Sequence, residues 1–501
     1  MPEAQALRVE RGPLQWAALA AIASCGLLAG FVVGEDLRLG VAAAALLAVV
    51  FGFLLVPYAF SVKLVFLIIA ATFLQRIGGY VRSGAVQGLN LGNALLALAV
   101  LYWGFRWIQT GRLYRPSPGD GWIIAAFVGF PLLSIYFTVS FRQVPGYALF
   151  DELRFLKQYA TPVFYFLLVC QTLERKKEAV LLIYLLVFLS ACAVLAALPE
   201  TLHLKSWHET RAEGFVAEAN RFGAFISLVV PFLFLALFLL ERRFWFRWIV
   251  LGVLGGLAFS LVSTYSRSGY IGFALAFAGS LYVAYRGTRK LPITVPALIL
   301  GAGVLLPLSL EPQIIDYIRE RFEMRAYQRE KRKSYDAYAR LNEYSGTRLE
   351  IWRVAIEMSR DHPLVGAGFD AFPKEYPKYH ARQFTHVPHN HFLGTLAQGG
   401  VAWLVIMAGY FYRLFQVLYQ NWKLTLAQGD RWGQVICGGG LLSYVVMVWI
   451  SLTLDFYYPG PQILIFWLVT AAAVRYVSLE GDPEPSRGRT PAEPAAAAAP
   501  G

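Results

Sequence analysis

The stretch RFGAFISLVVPFLFLALFLL, residues 221–240, decides the fold. Behind its single arginine the run is almost wholly apolar and about 20 residues long, the length needed to cross a hydrocarbon core as a helix. Comparable runs recur on both sides, separated by short charged or Gly/Pro-containing breaks. The reading predicts spans at 14–33, 39–56, 58–74, 91–108, 121–139, 159–171, 179–198, 221–240, 246–264, 268–285, 292–310, 391–416, 433–453 and 460–477. The segments 58–74 and 159–171 are marginal as spans, so about 12–14 helices are expected.

Composition agrees. The 501 residues are 57% hydrophobic and 15% charged, with mean hydropathy +0.50, too apolar for a water-soluble globule of this size. The expected fold class is an all-α polytopic membrane protein with one large external helical loop. The sequence divides into an N-terminal transmembrane bundle (1–310), the loop (311–388), C-terminal transmembrane helices (389–480) and a Pro/Ala-rich tail (481–501), expected to be disordered. There is no internal repeat. Ile22-Ala23-Ser24-Cys25 has the look of a lipoprotein cleavage site, but the apolar run before the cysteine is short and continues past it, so 14–33 reads as a first span.

The net charge of +13 is spread over loops between apolar runs, which points to membrane orientation and away from nucleic acid. Arg112, Arg115, Arg175, Lys176, Lys177, Arg242, Arg243, Arg247, Arg286, Arg289 and Lys290 fall in one alternate set of loops, expected to be cytoplasmic. Residues 311–388 then fall outside. Within them, 312–344 is charged, tyrosine-rich and helix-forming, and its Arg329-Glu330-Lys331-Arg332-Lys333 cluster suits anionic lipid head groups or a solvated face. A second helix is expected over 347–361, ending at His362-Pro363, with Gly366-Ala367-Gly368 as a flexible turn. Cys25, Cys170, Cys192 and Cys437 lie inside apolar runs without ligand spacing and read as small core residues.

Polar chemistry collects at one face. An arginine at a span boundary is costly to bury and calls for a partner. Arg221 opens 221–240, Arg267 stands between 246–264 and 268–285, and His389 precedes 391–416, all at the external ends. Taken singly, each has a plainer reading: the arginines snorkel to the interface and the histidine caps a helix. Together they read as a site. Two arginine forks suit a diphosphate, and a histidine is suited to take a proton from an attacking hydroxyl. His380, His386, His389 and His391 would also allow a metal, but Pro388 interrupts their spacing, no cysteine joins them and there is no His-Glu-x-x-His pair. No metal or cofactor is expected.

Three elements resemble the O-antigen ligase and polymerase superfamily: Tyr265-Ser266-Arg267-Ser268-Gly269, TRLEIWRVAIEMSRDHPLVGAGFDAF from Thr347, and PHNHFLGTLAQGGVAWL from Pro388. The resemblance implies a membrane glycosyltransferase that moves a glycan from undecaprenyl diphosphate to a lipid A core, another lipid-linked repeat or a protein hydroxyl, ligase and polymerase ranking ahead. It implies a multi-pass protein of the bacterial inner membrane, with its active site facing the periplasm. His389 would be the catalytic histidine, with His391 its competitor. Arg221 and Arg267 would hold the donor diphosphate, and Arg348 would contact donor or acceptor. The chain departs from the family at Gln398-Gly399-Gly400, where relatives commonly carry an acid. From another class, a lipid-linked glycan flippase would use the same arginines to line a path, but it should carry charge near the midplane rather than at one face.

Overall fold

The computed structural model describes residues 118–142, 144, 146–202, 211–214, 218–240, 244–289, 348–380, 387–454 and 461–479, with single positions at 100, 101, 104 and 108. The expected spans 14–33, 39–56, 58–74 and 292–310, most of 91–108, the basic segment 312–344 and the tail lie outside them. Among the described residues every regular element is helical, and seven helices are long and apolar enough to cross a membrane.

The helices are α1 (Pro118–Phe137), continued by a π-turn Thr138–Arg142, α2 (Leu149–Thr172), α3 (Lys176–Leu202), α4 (Ala219–Leu239), α5 (Phe244–Thr264), α6 (Arg267–Thr288), α7 (Arg348–Asp361), α8 (Phe372–Tyr379), α9 (His391–Ala427), α10 (Arg431–Ser451) and α11 (Pro461–Arg475). The marginal run 159–171 proves to be the inner part of α2, which starts ten residues earlier with the charged turn Asp151-Glu152.

The opening stretch forms α4, the centre of the bundle. Phe222, Phe225, Leu228, Phe232, Phe234 and Leu235 are fully buried. Pro231 sits inside this helix, as proline can in a membrane helix whose neighbours satisfy the freed backbone groups. Lipid tails are as apolar as leucine, so helices associate here through close packing and polar cross-links. Gly223 and Ser227 of α4 meet Gly269 and Gly272 of α6; a Cβ at Gly269 would lie 3.1 Å from the Gly223 Cα. The Ser227 hydroxyl donates to the Gly223 carbonyl at 2.8 Å and stands 3.0 Å from that of Gly269. Ser443 of α10 donates to the Leu228 carbonyl at 2.5 Å. Helices α4 and α6 therefore run parallel, with their N-termini at the same end.

The opposite end carries the basic turns. Lys176 pairs with Asp430 at 3.0 Å, and Arg475 donates to the Leu173 carbonyl at 3.3 Å. Outward faces of α1 and α6 expose Leu132, Leu133, Tyr136, Ile271, Leu275 and Tyr282, as lipid contact requires.

Helix α9 is longer than expected and is broken at Gly400 (φ 64°, ψ −166°). A break leaves carbonyls behind it and N–H groups ahead of it without helical partners. The loop after α7 supplies them. Ala367 and Gly368 N–H donate to the Ala397 and Gln398 carbonyls at 2.8 and 2.9 Å, while Val401 and Ala402 N–H donate to the Pro363 and Leu364 carbonyls at 2.8 and 3.1 Å. The turn expected to be flexible is thus spliced into a membrane helix. Gly366 (φ 68°) is required there, since any Cβ would run into the Gln398 carbonyl.

Candidate functional site

The close approach of Gly223 and Gly269 sets the spacing of two arginines, because Arg221 and Arg267 each stand two residues upstream of it. The turn that delivers Arg267 is built locally. Tyr265 adopts φ 51°, a left-handed conformation costly for a non-glycine residue. Ser266 then caps α6, its Oγ accepting from Gly269 N–H at 3.3 Å. Across the junction, Trp449 Nε1 donates to the Ser268 carbonyl at 3.2 Å. The motif Tyr265-Ser266-Arg267-Ser268-Gly269 is thus a turn, a cap, a cation and a packing contact in sequence.

Arg221 pairs with Glu218, Nε to Oε2 2.6 Å. Arg348, the first residue of α7, completes the group: burial lowers its pKa, the nearby Arg267 charge lowers it further, and Glu218 opposes both. A guanidinium so placed remains cationic, and Arg348 lies within electrostatic reach of Arg267 and of Glu218, the partner of Arg221. The sequence reading missed a fourth arginine. Arg211 donates from Nε to the Thr264 carbonyl at 2.8 Å and from Nη2 to Asn220 Oδ1 at 3.1 Å. It bridges the residue before Arg221 to the turn before Arg267. Its only signal was an arginine in a polar connection just ahead of the α4 run, at the same end of the bundle.

The histidine segment reaches this group through α7. Trp352 lies one turn beyond Arg348, on the same helix face, and its Nε1 donates to the Pro388 carbonyl at 2.9 Å. The next residue, His389, is held at φ 50° and is partly exposed. It is not the helix cap: Asn390 is, its Oδ1 accepting from Leu393 N–H at 3.1 Å. His391 is the first residue of α9 and is buried. His380 turns to α7, its Nε2 2.6 Å from Glu350 Oε1, and His386 lies outside the described residues. Gln398 is 3% exposed at the α9 break, and its carbonyl accepts from Gly368 N–H in the splice.

A second polar cluster holds α8 to the bundle. Glu152, on the first turn of α2 and ahead of its apolar part, is 1% exposed and pairs with Lys374. Lys374 also lies 3.4 Å from Asp370 Oδ2 and 4.7 Å from the centre of the Tyr147 ring. Tyr147 donates to the Phe369 carbonyl at 2.6 Å. Burial raises the Glu152 carboxyl to about 7, against the lowering by Lys374. Nearby, Arg142 Nη2 meets His362 Nδ1 at 3.0 Å, and burial followed by the Arg142 charge lowers the His362 pKa. That ring is neutral at pH 7, accepting at Nδ1.

An all-α polytopic membrane protein with an arginine cluster and a histidine-bearing helix start at one end is the class these elements define. Residues 252–408 match the family described as O-antigen ligase, a segment containing Arg267, Arg348, His389 and His391. That match supports placing the chain in the O-antigen ligase and polymerase superfamily, and with it a ligase- or polymerase-type, glycosyltransferase-like function. No curated protein matches the chain.

Proposed function

We propose that this protein transfers a glycan from undecaprenyl diphosphate to an acceptor hydroxyl, lipid A core being the favoured acceptor, at the periplasmic face of the inner membrane. The carrying observation is that Arg348 stands near both Arg267 and Glu218, the carboxylate that pairs with Arg221. Forked donors of this kind match diphosphate oxygens. The periplasmic assignment is supported by the basic turns gathering at the opposite end, as cytoplasmic loops do.

In this reading the acceptor oxygen attacks the anomeric carbon from the face opposite the diphosphate, inverting its configuration. The new C–O bond forms as the bond to the diphosphate oxygen breaks, and undecaprenyl diphosphate departs with the electron pair. His389 takes the hydroxyl proton. The arginines stabilise the charge that grows on the leaving group, so no divalent cation is needed for that task. The donor carries its own activated bond, so neither nucleotide nor cofactor enters. A transporter reading fits less well, since the charged groups gather at one end rather than near the midplane.

The deciding experiment is deletion of the gene followed by analysis of the accumulated glycans. Long chains that remain lipid-linked and unattached to lipid A are expected. Single unpolymerised repeats would assign a polymerase instead. Reconstituted protein that moves labelled lipid-linked glycan across a bilayer and never cleaves the diphosphate linkage would overturn both.

A further inference from the structure

Glu218 occupies the N-cap position of α4, where a side-chain oxygen normally accepts a hydrogen bond from the first turn. It makes no such bond. Its carboxylate is committed to Arg221 instead, at 2.6 Å, and the two side chains are 39% and 27% exposed. The pair is therefore reachable from outside, as a fully buried one would not be. Its charge also extends to Arg348, where it offsets the repulsion from Arg267. A carboxylate and a phosphate are recognised by the same guanidinium geometry.

Resting on the diphosphate reading above, we propose that Glu218 is a resident anion that fills the arginine cluster between turnovers and is displaced by the diphosphate of the lipid-linked donor. A carboxylate beside a bound diphosphate is a like-charge neighbour, so binding drives the side chain off Arg221. After transfer it competes for the same guanidinium from a fixed position a few ångströms away, a high effective concentration. Glu218 thereby weakens donor and lipid-diphosphate product alike. That is a uniform change in binding, useful where a tightly held product would otherwise block the next cycle.

The test uses full-length protein in nanodiscs, with undecaprenyl diphosphate and inorganic pyrophosphate as separate probes. Glu218→Gln keeps the shape and removes the charge, and is expected to bind both probes about tenfold tighter, the equivalent of about 1.4 kcal/mol. During turnover it should show stronger inhibition by undecaprenyl diphosphate. Gain of affinity cannot come from misfolding, and size-exclusion profiles check the fold independently. Affinity that is unchanged or weaker in Glu218→Gln overturns the inference. Wild-type binding of pyrophosphate that disappears in Arg267→Ala keeps the diphosphate reading intact in that event. Wild type that binds neither probe, or binds them equally after Arg267→Ala, sinks the diphosphate reading and this inference with it.

Discussion

Gly269 lies against Gly223 so closely that a methyl group at Gly269 would stand 3.1 Å from the Gly223 Cα and equally near the Leu261 Cδ1. This contact, and not any pairing between Arg221 and Arg267, sets how far apart the two guanidinium groups begin. Gly269→Val is expected to force α4 and α6 apart at a cost of about 1–3 kcal/mol. Transfer activity should fall by more than the loss of folded protein explains. Activity per folded molecule, measured beside thermal unfolding in detergent, checks this; a variant that loses stability alone would separate the contact from the site.

His389 and His391 have different surroundings, one partly exposed after Pro388 and one buried at the start of α9. His389→Ala should reduce transfer by about 100-fold or more, as loss of a general base does, while the protein still reaches the membrane. His391→Ala should act mainly on stability. An active His389→Ala beside an inactive but well-folded His391→Ala would reverse the assignment.

Arg267→Lys keeps one positive charge and gives up the planar fork. Activity should drop about 10- to 100-fold, with the effect appearing in kcat as well as KM, as the proposed role of Arg267 at the leaving diphosphate requires. Steady-state kinetics with a purified lipid-linked donor would show it. A lysine variant as active as wild type would mean that charge alone suffices at this position.

Glu152 supplies a pH signature. Its carboxyl is raised to about 7 by burial, so the native state holds a proton that the unfolded chain releases near pH 4.5. Stability from this group is complete below the ordinary carboxylate range and is lost as pH rises through about 7. The unfolding temperature should therefore decline between about pH 4.5 and 7, and Glu152→Gln should flatten that slope. An unchanged slope in the variant would assign the dependence elsewhere.

The membrane spans were legible because hydropathy and length are local properties. Residues 221–240 needed no partner to be recognised, and α4 begins within two residues of the expected start. Arg267 and His389 were visible as polar residues at helix boundaries. Arg211 was not, because its significance comes from the Thr264 carbonyl and the Asn220 side chain, 53 and 9 residues away. The charged beginning of α2 was hidden for a related reason: Glu152 looks unfit for a helix entering a membrane until Lys374, 222 residues downstream, is placed beside it. Gly366-Ala367-Gly368 was read as flexible since glycine permits motion. Its actual use is to let two backbones meet, and that depends on a break in a helix whose apolar pattern runs on without interruption.

That exchange of backbone hydrogen bonds between residues 363–368 and 397–402 also bears on engineering. A chimera that takes the segment between α6 and α9 from one relative and its membrane helices from another would divide a single hydrogen-bonded unit if joined anywhere between Pro363 and Ala402. Grafts of this segment should carry both partners of the splice from the same parent. The practical seams are ahead of Pro363 and behind Ala402.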